Sequence, residues 1–86
     1  MNADGDIEVV GLVPAVEAAD AALKAAEVQV IGKENTGKAM IAVIIKGEIG
    51  AVRTAVNAAE EAVNRIGKVI GTNIIAKPDV SLEKLY

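Results

Sequence analysis

The sequence predicts an α+β sandwich of order β-α-β-β-α-β, one four-stranded sheet carrying two helices. Three observations predict it. Short runs rich in β-branched residues recur at 7–10, 28–32, 40–45 and 68–76. The two stretches between the outer pairs carry apolar residues at helical spacing. The halves also repeat: Gly11, Val13, Ala15, Val16 and Ala19 align with Gly47, Ile49, Ala51, Val52 and Ala55, 36 positions on. Val30-Ile31-Gly32 then aligns with Val69-Ile70-Gly71, as a longer second helix requires. Two related halves in this order describe a ferredoxin-like split βαβ sandwich. Right-handed crossovers put both helices on one face of the sheet. The tail, solvent or neighbouring molecules must cover the other face.

The first strand is read from Ile7, in IEVV. From Leu12 the period becomes helical. Val16, Ala19, Leu23 and Ala26 share one face, and Glu17, Asp20, Lys24 and Glu27 another. Pro14 suits the first turn, where its missing N–H costs nothing. MIAVII, Met40 to Ile45, is the strongest strand signal. The second helix shows an apolar stripe at Ile49, Val52, Val56, Ala59, Val63 and Ile66, with Gly67 as a C-terminal stop. KVIGTNIIA, 68–76, is the last strand. Pro78 breaks it, and Asp79 can cap a short C-terminal helix containing Leu82, Leu85 and Tyr86. The organisation is thus a single domain over 7–86, preceded by a short, frayed acidic segment at 1–6.

Composition narrows the function. The chain has 86 residues, no cysteine and no histidine. Disulfides and thiolate metal sites are excluded, and the commonest general base is missing. A net charge of −3 argues against nucleic acid. No apolar run is long enough to cross a bilayer, and MNADGD is no signal peptide, so a soluble cytosolic chain without a membrane partner is expected. Hydrophobic residues make up 52% of the chain, yet its one aromatic is Tyr86. A domain of this size hides only about 60% of the surface its unfolded form exposes. The surplus of Ala, Val and Ile therefore points to subunit interfaces.

GKENTGKA, Gly32 to Ala39, has the G-x-x-x-x-G-K spacing of a phosphate-binding loop. Such a loop follows a strand, ends in Ser or Thr and opens a helix whose amides hold the phosphate. Here Ala39 stands in place of the hydroxyl, and AMIAVIIK continues as a strand. The stretch is read as a hairpin turn built on Asn35 and Gly37, not as a nucleotide site. Glu60, Glu61 and Arg65 read as the wet face of the second helix. No carboxylate pair has a catalytic partner, so no catalytic set, metal site or cofactor is expected and the chain is not read as an enzyme.

GLVPAVEAADAALKAAEVQVIGK, VIIKGEIGAV and IIAKPDVSLEKL resemble the shell proteins of bacterial microcompartments, the BMC-domain family. These build carboxysomes and the propanediol- and ethanolamine-utilising organelles. The resemblance runs from about Ile7 to Leu85. It implies the βαββαβ order already read, and cyclic homo-hexamers that tile into a cytoplasmic shell with other shell proteins around encapsulated enzymes. It also implies a central pore for small metabolites, lined here by Asn35, Thr36, Gly37, Lys38 and Ala39. Lys24 matches the family's lysine at hexamer–hexamer contacts, and Lys77-Pro78 matches its Arg-Pro pair.

Three departures bear on that expectation. Gly37-Lys38-Ala39 stands where the family commonly has Gly-Ser-Gly. Lys38 either makes the pore mouth cationic, or turns to bulk water and leaves the Gly37 backbone to narrow the pore. Lys77 replaces a planar fork of donors with a point charge, so tiling is expected to be more salt-sensitive. Asp4, Asp6 and Glu8 replace an apolar-rich first strand and share one face by the period of two. They are read as frayed and solvated, with a hard-cation site as the alternative. Against the shell reading stands a ring-forming regulator that binds a small effector between subunits, since this sandwich hosts many functions.

Overall fold

A computed structural model describes residues 1–35 and 39–77. The elements are β1 (Asn2–Val10), α1 (Leu12–Ala25), β2 (Gln29–Asn35), β3 (Met40–Glu48), α2 (Ile49–Asn64) and β4 (Val69–Lys77). The strands form one antiparallel sheet in the order β2-β3-β1-β4. That is the predicted order and topology. The expected C-terminal helix lies outside the described residues.

The first strand is longer than its apolar residues suggest. β1 starts at Asn2, and residues 2–6 pair with β3 on one side and β4 on the other. This corrects the frayed segment. Ala3, Gly5, Ile7 and Val9 are buried, while Asp4, Asp6 and Glu8 point to the open face. A strand paired on both flanks satisfies its backbone groups whatever its outer side chains are. Gly5 has a specific role. A Cβ built there falls 2.7 Å from a Val56 methyl and 2.8 Å from a Val52 methyl. Its hydrogen lets α2 settle onto β1.

The core is aliphatic. Ile7, Val9, Val43 and Ile45 of the sheet meet Val52, Val56 and Val63 of α2. α2 buries the predicted stripe except at its ends. Ile49 is partly buried, and Ile66 lies beyond the helix and is exposed. Helix α1 departs from its predicted face. It buries Ala15, Ala18 and Ala22, whereas Val16 and Leu23 stay 59% and 55% exposed. Small residues let the α1 backbone come close to its neighbours, and the larger apolar side chains are left outside.

The helix ends show what sets their lengths. Glu48 caps α2, its carboxylate accepting from Gly50 N at 2.7 Å and Ala51 N at 3.4 Å. α1 has no side-chain cap. Its N-cap, Gly11, sits at φ 96, ψ 160, a region that only glycine occupies readily. At the end of α2, Ile66 N and Gly67 N both donate to the Val63 carbonyl. Gly67 closes the helix in this way and without a left-handed conformation, unlike the stop the sequence suggests.

Candidate functional site

The sheet has two chemically distinct ends. At one end β2 turns back into β3, with Asn35 opposite Met40. Ala39 holds a left-handed backbone, φ 52, which costs a non-glycine residue about 1 kcal/mol. Its carbonyl accepts a 2.8 Å hydrogen bond from Gly11 N. The hairpin base is thereby pinned to the start of α1. The hairpin leads into the nine-residue strand β3 and not into a helix, so the phosphate-loop spacing lacks the helix that such a loop opens. Thr36, Gly37 and Lys38 lie outside the described residues.

The other end carries the lysines. α1 begins beside Ala39 and runs back along the sheet, so Lys24 falls in its last turn. The α1–β2 connection then packs on Gly47, whose hydrogens face Val28 and the Glu27 carbonyl. Lys24 pairs with Asp20 at 2.8 Å, and that neighbouring carboxylate raises its pKa above the usual lysine value. Lys77 is the last residue of β4 and stands opposite Asn2. It reaches diagonally to Asp4, Nζ to Oδ2 2.8 Å. Lys46, directly across from Asp4 on β3, approaches the same oxygen at 3.8 Å. The Lys77 hydrogen bond, aided by charge attraction from Lys46 and Lys77, holds Asp4 below the ordinary carboxylate pKa despite its partial desolvation. Pro78 lies outside the described residues.

Asp4, Asp6 and Glu8 share a face, as the period of two requires. They do not converge on a cation: among the described residues no cluster of three or more carboxylates could hold one. Asp4 is engaged by lysines instead. Sequence reasoning missed both this pairing and the Glu48 cap. The cap had a signal, an acid directly before the second helix. The Asp4 pairing had none, since it depends on strand register.

The hairpin residues and the lysines are therefore not brought together. Along β1 the step from Val10, at the hairpin end, to Asn2, opposite Lys77, spans about 27 Å. A third surface joins the two ends. Leu12, Val13, Val16 and Leu23 of α1 are exposed and fall within about 100° of helical arc. Beneath them, Leu12, Ala15, Val16, Ala19, Gly32 and Ile41 line an apolar groove of about 300 Å³ against edge strand β2. Among the described residues this arrangement offers an apolar stripe and surface charges suited to assembly.

Comparison with known proteins agrees. The BMC domain model matches residues 3–78. The carboxysome shell protein CsoS1 of Prochlorococcus marinus is 49% identical over 80 residues, covering 92% of this chain and 78% of that protein. CsoS1A of Hydrogenovibrio crunogenus is 46% identical, covering 92% of this chain and 83% of its own. A microcompartments protein from Desulfitobacterium hafniense DCB superposes with a TM-score of 0.77 at 32% identity. It covers 87% of this chain, which spans 41% of that longer one. The curated relatives are named for a shell and not for a reaction, and the chain is a structural protein, not an enzyme. With the fold, the alternating first strand and the matched span 3–78 in agreement, the chain belongs to the BMC domain family of microcompartment shell proteins.

Proposed function

We propose that this chain forms cyclic hexamers that tile into the shell of a bacterial microcompartment in the cytoplasm, around encapsulated enzymes and alongside other shell proteins. The hairpin Asn35, Thr36, Gly37, Lys38 and Ala39 faces the ring axis and lines a pore for small metabolites. Lys24, Lys77 and Pro78 lie on the outer rim, where hexamers meet. The observation that carries this reading is the separation of the two ends. The hairpin base and Lys77 stand about 27 Å apart along one sheet, with Lys24 in the last turn of α1, away from the helix start that meets the hairpin, the disposition an axis and a rim require. The outward apolar stripe of α1 supports the same reading, because a patch of this kind needs a partner surface.

A ring repeats each group around its axis, so one turn becomes a collar that selects by width, hydrogen-bonding groups and charge. Six Lys38 ammonium groups make the pore mouth cationic and favour anionic metabolites. Lys38→Ala then lowers anion permeation or anion occupancy at the axis. Unchanged permeation assigns the constriction to the Gly37 backbone instead. Electron microscopy of the concentrated protein tests the assembly directly. Extended sheets of rings with a central hole are expected. A discrete, non-tiling ring whose melting temperature rises with an added nucleotide refutes the shell and indicates a regulator.

A further inference from the structure

We infer that Asp4 restrains Lys77 within its own subunit and so sets the threshold at which subunits assemble edge to edge. The inference rests on the shell reading for the role of Lys77; the restraint itself rests on geometry. Lys77 terminates an outer strand of the sheet, the place from which a side chain can reach another molecule. Its ammonium is instead 2.8 Å from Asp4 Oδ2, folded back across the open face. One carboxylate oxygen serves two cations, since Lys46 stands 3.8 Å away. Among the described residues the charged groups near Asp4 are Asp6 on β1, Lys46 and Glu48 on β3, and Lys77 on β4, and Glu27 of the α1–β2 connection lines the same cavity as Asp4, Lys46 and Lys77. The helices pack on the opposite face and bring no charge to it.

The chemistry makes this a competition. An ammonium on a flexible stem is a point charge that can leave one carboxylate for another acceptor. For Lys77 to bridge to a neighbouring subunit it must first give up Asp4. Lys46 weakens the restraint by sharing the same oxygen. Two opposite effects result. Asp4→Asn frees Lys77 and lowers the protein concentration at which sheets appear. Lys46→Gln leaves Lys77 as the only cation on Asp4 among the described residues and raises it. Because exposed ion pairs couple weakly, each shift amounts to about threefold.

The test is pelleting of sheets against protein concentration for the full chain and both variants. Amine acetylation of Lys77, read by mass spectrometry, is measured alongside. Opposite threshold shifts, with faster Lys77 acetylation in Asp4→Asn, are expected. The Asp4→Asn gain should also vanish in an Asp4→Asn/Lys77→Ala double variant. Thresholds that stay together while the wild type forms sheets overturn the restraint and leave the shell reading intact. The absence of sheets from all variants refutes the shell reading, and the competition falls with it. Faster acetylation without a threshold change shows that the pair exists but does not govern assembly, which also overturns the proposal.

Discussion

Helices α1 and α2 come from matching stretches of sequence and are used differently. Val16 and Val52 occupy aligned positions, yet Val16 is 59% exposed and Val52 fully buried. The aligned alanines show the reverse at the next step, since Ala15 is buried and Ala51 only partly so. α1 is thus turned by about one residue, roughly 100°, relative to its counterpart. α2 completes the core of its own subunit with valines. α1 approaches on alanines and turns Leu12, Val13, Val16 and Leu23 outward. One of two similar halves can therefore complete the core while the other leaves its larger apolar side chains outside.

The aligned valines give the sharpest way to break this comparison. Val52→Ala should cost about 2–3 kcal/mol of stability at every protein concentration. Val16→Ala is the same chemical change, and its cost should appear only in association, disappearing on dilution. Urea unfolding of both variants over a range of concentrations checks this. Equal, concentration-independent losses would show that α1 also packs through its larger residues. Gly5→Ala comes next, at about 1–3 kcal/mol, because its methyl group meets the Val52 and Val56 side chains. Part of that loss should return in the Gly5→Ala/Val52→Ala double variant, and purely additive losses would place the strain elsewhere.

Smaller effects separate the two helix starts and the two sheet faces. Glu48→Ala should cost about 1 kcal/mol through the lost cap on α2. α1 has no equivalent change to make, because Gly11 caps it with backbone alone. Thermal unfolding reads this difference. The smallest effect belongs to Asp4. Its pKa is depressed in the folded state, so its contribution is complete above the unfolded carboxylate value and is lost as pH falls through the folded one. Asp4→Asn should therefore lose less stability than the wild type on acidification through that window, by a margin kept small by solvent screening. Superimposable acid profiles would contradict the pairing with Lys77.

Much of the fold was legible because its signals are periodic. The element order along the chain followed from the periodic signals and the repeated halves, and Val52, Val56, Ala59 and Val63 gave α2 its buried face correctly. α1 was not legible in the same way. It is apolar on more than one side, and the spacing of Val16, Ala19 and Leu23 is as helical as that of Ala15, Ala18 and Ala22. Periodicity cannot tell an alanine face that packs closely from a leucine face that waits for a partner. The early start of β1 was visible in the alternation of Ala3, Gly5, Ile7 and Val9, but the intervening acids read as a solvated terminus. For the site, the hairpin and the lysines were singled out from residues and family resemblance. Their separation, and the hold of Asp4 on Lys77, arise from register between distant segments.

A subunit that leaves one helix apolar toward the outside should not persist singly in water. Sedimentation velocity of the unmodified chain at micromolar concentration puts this to the test. A six-subunit particle is the predicted result, and a population of dispersed single chains would contradict it.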